Sequence, residues 1–377
     1  MNSYILMNKD RPLLKFTCSR DEFDEPVFQE ENWLADIRPH GFTSIAAFLE
    51  RRKAPKHREH IHDLLVRYGC TDIEGFVRVT HAASLNDTLW VKEAGTNICW
   101  DEVSLYSNDF NELISRAAFD GIIPEEDVSS TSPEFSTDGA FAKCWMRTKD
   151  GIQLYKSGSR IFEIEPLSEY LASQLASYLC PNSVKYDLLF FSDKLTSSCP
   201  IFTDEHQGFA PMSRFFKQKA SVKELLKFYD ELGDGEDFRR MCVLDALIFN
   251  TDRHFGNFGV LFDNDSMELI SAAPVFDNNR SLFYDVDDDG FMRMSYYVNR
   301  AVPRVGSDFN ITASQLLTPE IEKDLRNLQG FRFAQHPLIQ ASQERLDVLS
   351  LLVNRQIELI LNGVSQKEAN EKNLYCL

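Results

Sequence analysis

The sequence predicts an α+β chain: a small α/β N-terminal region, a small strand-rich unit, then a larger and mainly helical one. Three observations carry that reading. A polar, acidic stretch bounded by prolines, Pro124 to Pro133, interrupts the chain. Two extended runs, Ala142 to Arg147 and Gly151 to Lys156, flank a Lys149-Asp150-Gly151 turn and read as a hairpin. Downstream of residue 204, apolar residues recur mostly at helical spacing. The expected divisions are 1-128, 129-203 and 204-377.

Taken in order, the first region gives short extended runs, Tyr4 to Met7 and Leu89 to Val91. One helical stretch, Phe42 to Leu49, lies between them. The basic residues after it, Arg51, Arg52, Lys53, Lys56 and Arg58, read as a solvated helix end, where cations suit the dipole. After the hairpin, Pro166 opens an amphipathic helix with Leu167, Leu171, Leu175 and Tyr178 on one face. Ser183 to Phe191 and Ser198 to Phe202 read as strands. Ser221 to Glu224 is a capping box, and Gly233 ends the helix it opens. Phe238, Met241, Cys242, Asp245 and Ile248 then lie at helical spacing. Gly259 to Phe262 and Leu269 to Ser271 read as a strand pair. Leu346, Leu349, Val353, Ile357 and Ile360 form a core-packing stripe closed by Gly363.

Composition narrows the partners. The 377 residues carry 40 basic and 58 acidic side chains, a net charge of −18. That balance argues against broad, charge-driven binding to nucleic acid or anionic membranes. No apolar run approaches the length of a membrane span, and the N-terminus lacks the pattern of a signal peptide. The eight cysteines are scattered without zinc spacing, which fits reduced, mostly buried thiols in a cytoplasmic protein. His57, His60 and His62 lack a completing ligand set and read as a polar helix face. Asp285 to Gly290 matches only the first half of a calcium loop and reads as a solvated acidic loop.

The chemistry concentrates at Asn250-Thr251-Asp252-Arg253-His254-Phe255-Gly256-Asn257. Phosphoryl transfer needs a carboxylate to orient the attacking hydroxyl, oxygen ligands for Mg²⁺ and a lysine for the nucleotide phosphates. Asp252 and Asn257 are five residues apart, the interval of a kinase base and its metal-binding asparagine. Asp277 follows the predicted strand pair, where a second metal ligand would fall, and its carboxylate suits Mg²⁺.

The run Asp252-Arg253-His254-Phe255-Gly256-Asn257-Phe258 resembles the D-x-H-x-x-N-F loop of HipA-like kinases, the serine/threonine kinases of bacterial toxin–antitoxin systems. Ordinary protein kinases place His and Arg before the Asp; phosphatidylinositol kinases share the order seen here. The resemblance covers about residues 129 to 300 well and leaves 1 to 125 unmatched. It implies a two-lobed protein-kinase-like fold behind a small N-terminal domain, using ATP and Mg²⁺. By the same resemblance Asp252 is the catalytic base, and Asn257 and Asp277 hold metal. Arg253 and His254 are structural, His254 bracing the backbone. Lys156 meets the phosphates, with Glu169 as its acidic partner and Glu165 in reserve. Ser136 to Lys143, with the single Gly139, covers the phosphates; Ser136 falls at the family's autophosphorylated serine. Ile201, Phe202 and Thr203 form the hinge at adenine. The implied partners are a protein substrate such as a translation component, and a small DNA-binding antitoxin.

Three other functions compete. A lipid or small-molecule kinase keeps the fold, although no basic membrane-facing patch flanks the loop. A non-catalytic nucleotide-binding regulator would not need Asp252, Asn257, Asp277 and Lys156 together. A metal-dependent phosphoesterase needs more histidine ligands than these eight dispersed ones supply.

Overall fold

The computed structural model describes residues 2–55, 58–123, 132–159, 163–216, 220–287 and 289–375. Most of the proline-bounded break, with the expected 128/129 boundary, lies outside them, as do Lys56, His57, Asp288 and Cys376.

Along the chain come β1 (Asn2–Asn8), β2 (Arg11–Arg20), β3 (Pro26–Trp33), α1 (Ile45–Arg52), α2 (Ile61–Arg67) and α3 (Ile73–Thr80). Then follow β4 (Leu89–Glu93), α4 (Trp100–Val103), α5 (Glu112–Asp120), β5 (Lys143–Thr148) and β6 (Gly151–Ser157). Next are α6 (Glu165–Leu179), β7 (Asp187–Phe191), β8 (Lys194–Pro200), β9 (Gln207–Pro211), α7 (Val222–Leu232) and α8 (Gly235–Ile248). β10 (Gly259–Asp263) and β11 (Leu269–Ala272) precede α9 (Met294–Arg300), α10 (Phe309–Gln315), α11 (Pro319–Asn327), α12 (Gln343–Leu361) and α13 (Gln366–Glu371). The fold is mixed α/β. It divides into two compact units: Met1–Lys156 with Pro200–Ala210 and Leu261–Ile270, and Ser157–Cys199 with Pro211–Val260 and Ser271–Leu377.

In the first unit an antiparallel sheet has the order β3-β2-β1-β4. Its register sets Leu6 opposite Leu14 on one side and opposite Val91 on the other, so apolar faces coincide. Ser44 caps α1 by accepting the Ala47 N–H, and Asn111 caps α5. Met7, Leu85, Trp90, Trp100, Leu105 and Ile152 form one core cluster. The β5–β6 hairpin falls where the sequence put it, with Lys143 opposite Lys156 and Thr148 opposite Gly151.

Arg52 and Arg58 correct the sequence reading. They are buried, not a solvated helix end. Arg52 forks onto Asp87 at 2.8 and 2.9 Å, and Arg58 reaches Glu134. A charge leaves water only where such partners replace its hydration.

The second unit is built around α8, whose Phe238, Met241, Cys242, Asp245 and Ile248 are all buried. Helices α6, α7, α10 and α12 touch it. The Ser221–Glu224 capping box forms as expected, and Gly233 ends α7 with φ 95°. The α12 stripe, Leu346, Leu349, Val353, Ile357 and Ile360, is buried throughout. Buried Gln356 pins α12 to α8 and α10, donating to the Ala246 carbonyl and Asn310 Oδ1. Two expectations shift. Tyr178 is 67% exposed, off the buried face of α6. Ser183 instead makes a parallel bridge with Val275, and β7 starts at Asp187.

Among the described residues, six of seven cysteines are buried and all seven are free thiols; Cys99 is exposed. None of their helices is long and apolar enough to cross a membrane.

Candidate active site

The loop Asn250 to Asn257 starts where α8 stops. Phe249 takes a left-handed turn, φ 50°, and its N–H donates to the Asp245 carbonyl. The chain thereby turns back on the helix end, and Asp245 in the last turn becomes the anchor of this loop.

Arg253 is the hub. Its side chain is 1% exposed. Nε donates to Asp245 Oδ2 at 3.0 Å and Nη2 to Oδ1 at 2.9 Å. Nη2 also reaches Asn278 Oδ1. Nη1 donates to two carbonyls, Asn257 at 2.8 Å and Phe276 at 2.6 Å. One guanidinium therefore fastens three pieces of chain: the end of α8, the far side of the loop and the strand-end that delivers Asp277. Burial opposes its charge, but Asp245 outweighs it and raises the Arg253 pKa. Asn250, also buried, donates to Asp245 Oδ1 at 3.0 Å, and its own Oδ1 accepts the Asp252 N–H at 3.0 Å. These bonds fix the backbone at position 252 from both sides.

Asn257 donates from its side-chain nitrogen to the Asp252 carbonyl at 3.1 Å, and its N–H to the His254 carbonyl at 2.8 Å. The metal candidate is thus bonded directly to the base position. Asp277 has φ 56°, a left-handed conformation that L residues adopt at a cost. Its N–H donates to the buried Tyr186 hydroxyl at 3.1 Å. Parallel pairing of Val275 with Ser183 holds the residues just before it. His254 is exposed, and its Nδ1 accepts the Gly256 N–H at 3.0 Å.

These donors match magnesium. A carboxamide oxygen at Asn257 and a carboxylate at Asp277 are hard donors of the kind that would hold Mg²⁺. Among the described residues no three His, Cys, Asp or Glu side chains converge as a metal-holding group.

The carboxylate of Asp252 is 18% exposed and faces two guanidiniums. Arg280 Nη1 lies 3.5 Å from Oδ2, and Arg304 Nη2 lies 3.6 Å from Oδ1. Sequence reasoning passed over both. It also counted Asp245 only as a helix position, and gave no role to Asn250, the first residue of the loop, or to Asn278.

Glu169 in α6 is fully buried and accepts the Ser197 hydroxyl at 2.6 Å. Glu165 is buried as well. Its Oε2 accepts the Ser159 N–H, while Oε1 has no hydrogen-bond partner among the described residues.

The remaining predicted residues lie in the first unit. Ser136 ends a short 3₁₀ turn and donates to the Pro133 carbonyl at 3.3 Å. Gly139 has φ 105°, and a Cβ there would stand 2.0 Å from Lys143 Nζ. Glycine is what lets the loop fold over that ammonium. Lys143 donates to the Asp138 carbonyl at 2.8 Å. It pairs directly across the hairpin from Lys156, so both point to one face of the sheet, and both are buried. The sequence reading had Lys143 only as the last residue of the loop Ser136 to Lys143. In the predicted hinge, Ile201 donates to the Ile152 carbonyl at 3.1 Å, Phe202 accepts from Gln207, and Thr203 donates to the Leu85 carbonyl. Two main-chain groups of the predicted hinge are therefore already engaged.

No family model matches the sequence, and no curated protein matches it. Solved structures do. The Helicobacter pylori proinflammatory kinase CtkA is similar over 61% of this chain and 95% of its own, at 18% identity and TM-score 0.45. HipA of the Shewanella oneidensis MR-1 toxin–antitoxin system, solved with HipB and operator DNA, is similar over 98% of this chain and 99% of its own. There the identity is 12% and the TM-score 0.54. That likeness takes in residues 1 to 125, which the sequence left unmatched. The chain is a structural relative of HipA and shares the fold of that toxin–antitoxin kinase over nearly its whole length.

Proposed function

We propose that this chain is an ATP- and Mg²⁺-dependent serine/threonine kinase of the HipA type, on a two-lobed kinase fold behind an α/β N-terminal domain. The observation that carries this is the Arg253 hub, which ties the loop bearing Asp252 and Asn257 to the strand-end bearing Asp277 through one buried guanidinium. In this reading Asp252 accepts the proton of the acceptor hydroxyl. The hydroxyl oxygen bonds to the terminal phosphorus as the bond to the ADP oxygen breaks. Asn257 and Asp277 supply the metal ligands. Bound Mg²⁺ offsets phosphate charge and orients the terminal group. Lys156 holds phosphate oxygens, Glu169 serves as its acidic partner, Gly139 lets the loop close over them, and Ile201 to Thr203 flank adenine.

Partners follow from the same reading. The substrate is a protein, such as a translation component, and a small DNA-binding antitoxin restrains the enzyme in the cytoplasm. Ser136 is the autophosphorylation site, where added negative charge would repel the nucleotide.

The test is incubation of purified protein with labelled ATP and Mg²⁺, alone and with cell lysate, beside Asp252→Ala. Labelled protein that disappears in the variant supports the proposal. Label confined to lipid or small molecules moves the assignment to a lipid or small-molecule kinase. Binding of ATP without transfer makes the chain a nucleotide-binding regulator. A Ser136→Ala protein that still inactivates itself with ATP removes Ser136 from the scheme.

A further inference from the structure

Tyr178 lies off the apolar face of α6 on which the sequence placed it, and Leu179 joins Leu167, Leu171 and Leu175 in the buried stripe instead. Tyr170, Gln174 and Tyr178 recur every four residues and so share a neighbouring face. The segment 328–342, which joins α11 to α12, runs along that face in the opposite direction. The Phe331 ring meets the Tyr178 ring at 6.1 Å between centroids, Ala334 meets Gln174, and the His336 ring meets the Tyr170 ring edge-on at 5.2 Å. The middle contact is the directional one. Gln174 Nε2 donates to the Ala334 carbonyl at 2.9 Å, and Gln174 Oε1 accepts the Ala334 N–H at 2.9 Å. Beyond it, His336 Nε2 lies 2.9 Å from Oδ1 of Asp187, the first residue of β7. All of these residues belong to the second unit.

The segment is tied on its other side as well. Asn354 in α12 donates to the Phe331 carbonyl at 2.9 Å, and Ser350, one turn earlier, accepts the Phe333 N–H at 3.1 Å. α12 is bonded in turn to α8 through Gln356, and α8 leads into the loop of Asp252. The segment therefore joins the core that carries that loop to the helix that carries Glu169. The C-terminal end of α6 has its own tie, the Leu179 carbonyl accepting from Arg240 at 2.8 Å. Apolar burial is non-directional, and it leaves the axial setting of a helix to other contacts. The Gln174 pair supplies one. A single side chain bonds both main-chain groups of one residue, so a slide of α6 by one residue, about 1.5 Å, breaks both bonds. The pair is partly exposed, where such bonds add little net stability. What it adds is geometry.

We infer that the segment 328–342 is a strap that sets α6, and that Gln174 is the positioning residue through which it places Glu169. The inference rests on the kinase reading, which makes Glu169 the acidic partner of the nucleotide-binding lysine. Glu169 directly precedes Tyr170, at one end of the strapped face, and its carboxylate accepts the Ser197 hydroxyl at 2.6 Å. Gln174 touches no reacting atom and acts only through the setting of the helix. Small errors in that setting matter, because a misplacement of about 1 Å can cost as much as roughly 100-fold in rate. The strap thus does for α6 what Arg253 does for the loop of Asp252: it fixes a functional side chain by bonding the backbone on which that side chain depends.

The test separates the strap from the kinase reading. Label transfer at saturating ATP, Mg²⁺-AMPPNP affinity by calorimetry, hydrogen exchange in α6 and melting temperature are compared for the wild type, Gln174→Ala, Asp187→Ala and the double variant. Asp187 has a 74% exposed side chain and alanine suits a helix at 174, so these proteins should fold. In the double variant the amides of α6 from Leu167 to Gln174 should exchange faster. Transfer per folded molecule should fall roughly ten-fold, and further than AMPPNP affinity does. Each single variant should lose about three-fold, which carries the test if the double variant does not fold. A strap that only adds stability would lower the melting temperature and leave transfer per folded molecule alone. That outcome overturns the inference and leaves the kinase reading intact. A wild type that neither binds AMPPNP nor transfers label removes both.

Discussion

At position 253 an arginine does what a lysine cannot. Its three nitrogens reach Asp245, Asn278 and the carbonyls of Asn257 and Phe276 in one plane. An ammonium would meet one or two of them and leave Asp245 buried and under-bonded. Arg253→Lys keeps the charge but leaves buried acceptors unbonded, and should therefore destabilise the protein by ~1–3 kcal/mol. Urea unfolding of the variant measures this; a loss below ~0.5 kcal/mol, the size of an ordinary surface change, would show that the hub does not hold the loop. Asp277 offers a different contrast. Its left-handed backbone, φ 56°, strains any residue with a Cβ, while the proposed mechanism assigns its carboxylate to metal. Asp277→Ala and Asp277→Gly both remove the carboxylate and should both abolish transfer. The glycine variant should nonetheless be more stable than the alanine variant by ~1 kcal/mol, because only the backbone term differs. Equal stabilities would mean that position 277 carries no strain.

The loop at 134–143 shows what a single element takes from a distant one. Arg58 donates to the Glu134 and Thr137 carbonyls at 2.7 and 3.3 Å and to the Lys143 carbonyl. The Ala54 N–H donates to the Phe135 carbonyl and the Glu59 N–H to the Ala140 carbonyl. Glu134 answers from inside the loop, accepting from Ser115 and the Trp145 N–H, with Arg58 3.4 Å away. Burial pushes the Glu134 carboxyl up to about 7, more than Arg58 and its hydrogen bonds pull it down. A raised acid binds its proton more tightly folded than unfolded. Its contribution is full below the unfolded value near 4.5 and is lost as pH rises through about 7. From pH 5 to pH 8 the wild type should lose up to ~3 kcal/mol that Glu134→Gln does not lose. Urea midpoints at the two pH values give the comparison, and identical losses in both proteins would refute it. This element also marks the limit of the sequence. The Ser221–Glu224 cap, the α12 stripe and the β5–β6 hairpin were legible because each pattern closes within a few residues. Arg58 was misread because its partner lies 76 residues on, and nothing local distinguishes a buried arginine from a solvated one. Arg280 and Arg304 were missed for the same reason: Arg304 is 52 residues from the carboxylate it faces.

Across the whole molecule the mixture of strands and helices was readable, but only part of the N-terminal sheet was. β1 and β4 stood out as apolar runs, while β3 exposes most of its residues and carries Gln29, Glu30, Glu31 and Asn32, which no strand pattern marks. The central loop was the clearest signal of all, since Asp252, Asn257 and Asp277 keep order and spacing that chemistry requires. Net charge belongs to this scale as well, and it makes a prediction that no single residue makes. Binding to DNA without sequence preference depends on cations displacing the condensed counterions of the phosphates. A chain with 58 acidic and 40 basic side chains repels that polyanion overall, and its arginines at positions 52, 58 and 253 are buried against carboxylates. The purified chain should therefore not retard duplex DNA in a gel at about 150 mM salt, where exposed charges are screened beyond roughly 8 Å. Lowering the salt to about 50 mM should not rescue binding, because a protein that neutralises few phosphates gains little from dilution. Micromolar retention at 150 mM that weakens steeply with added salt would sink this reading, and would locate a basic face that the overall charge conceals.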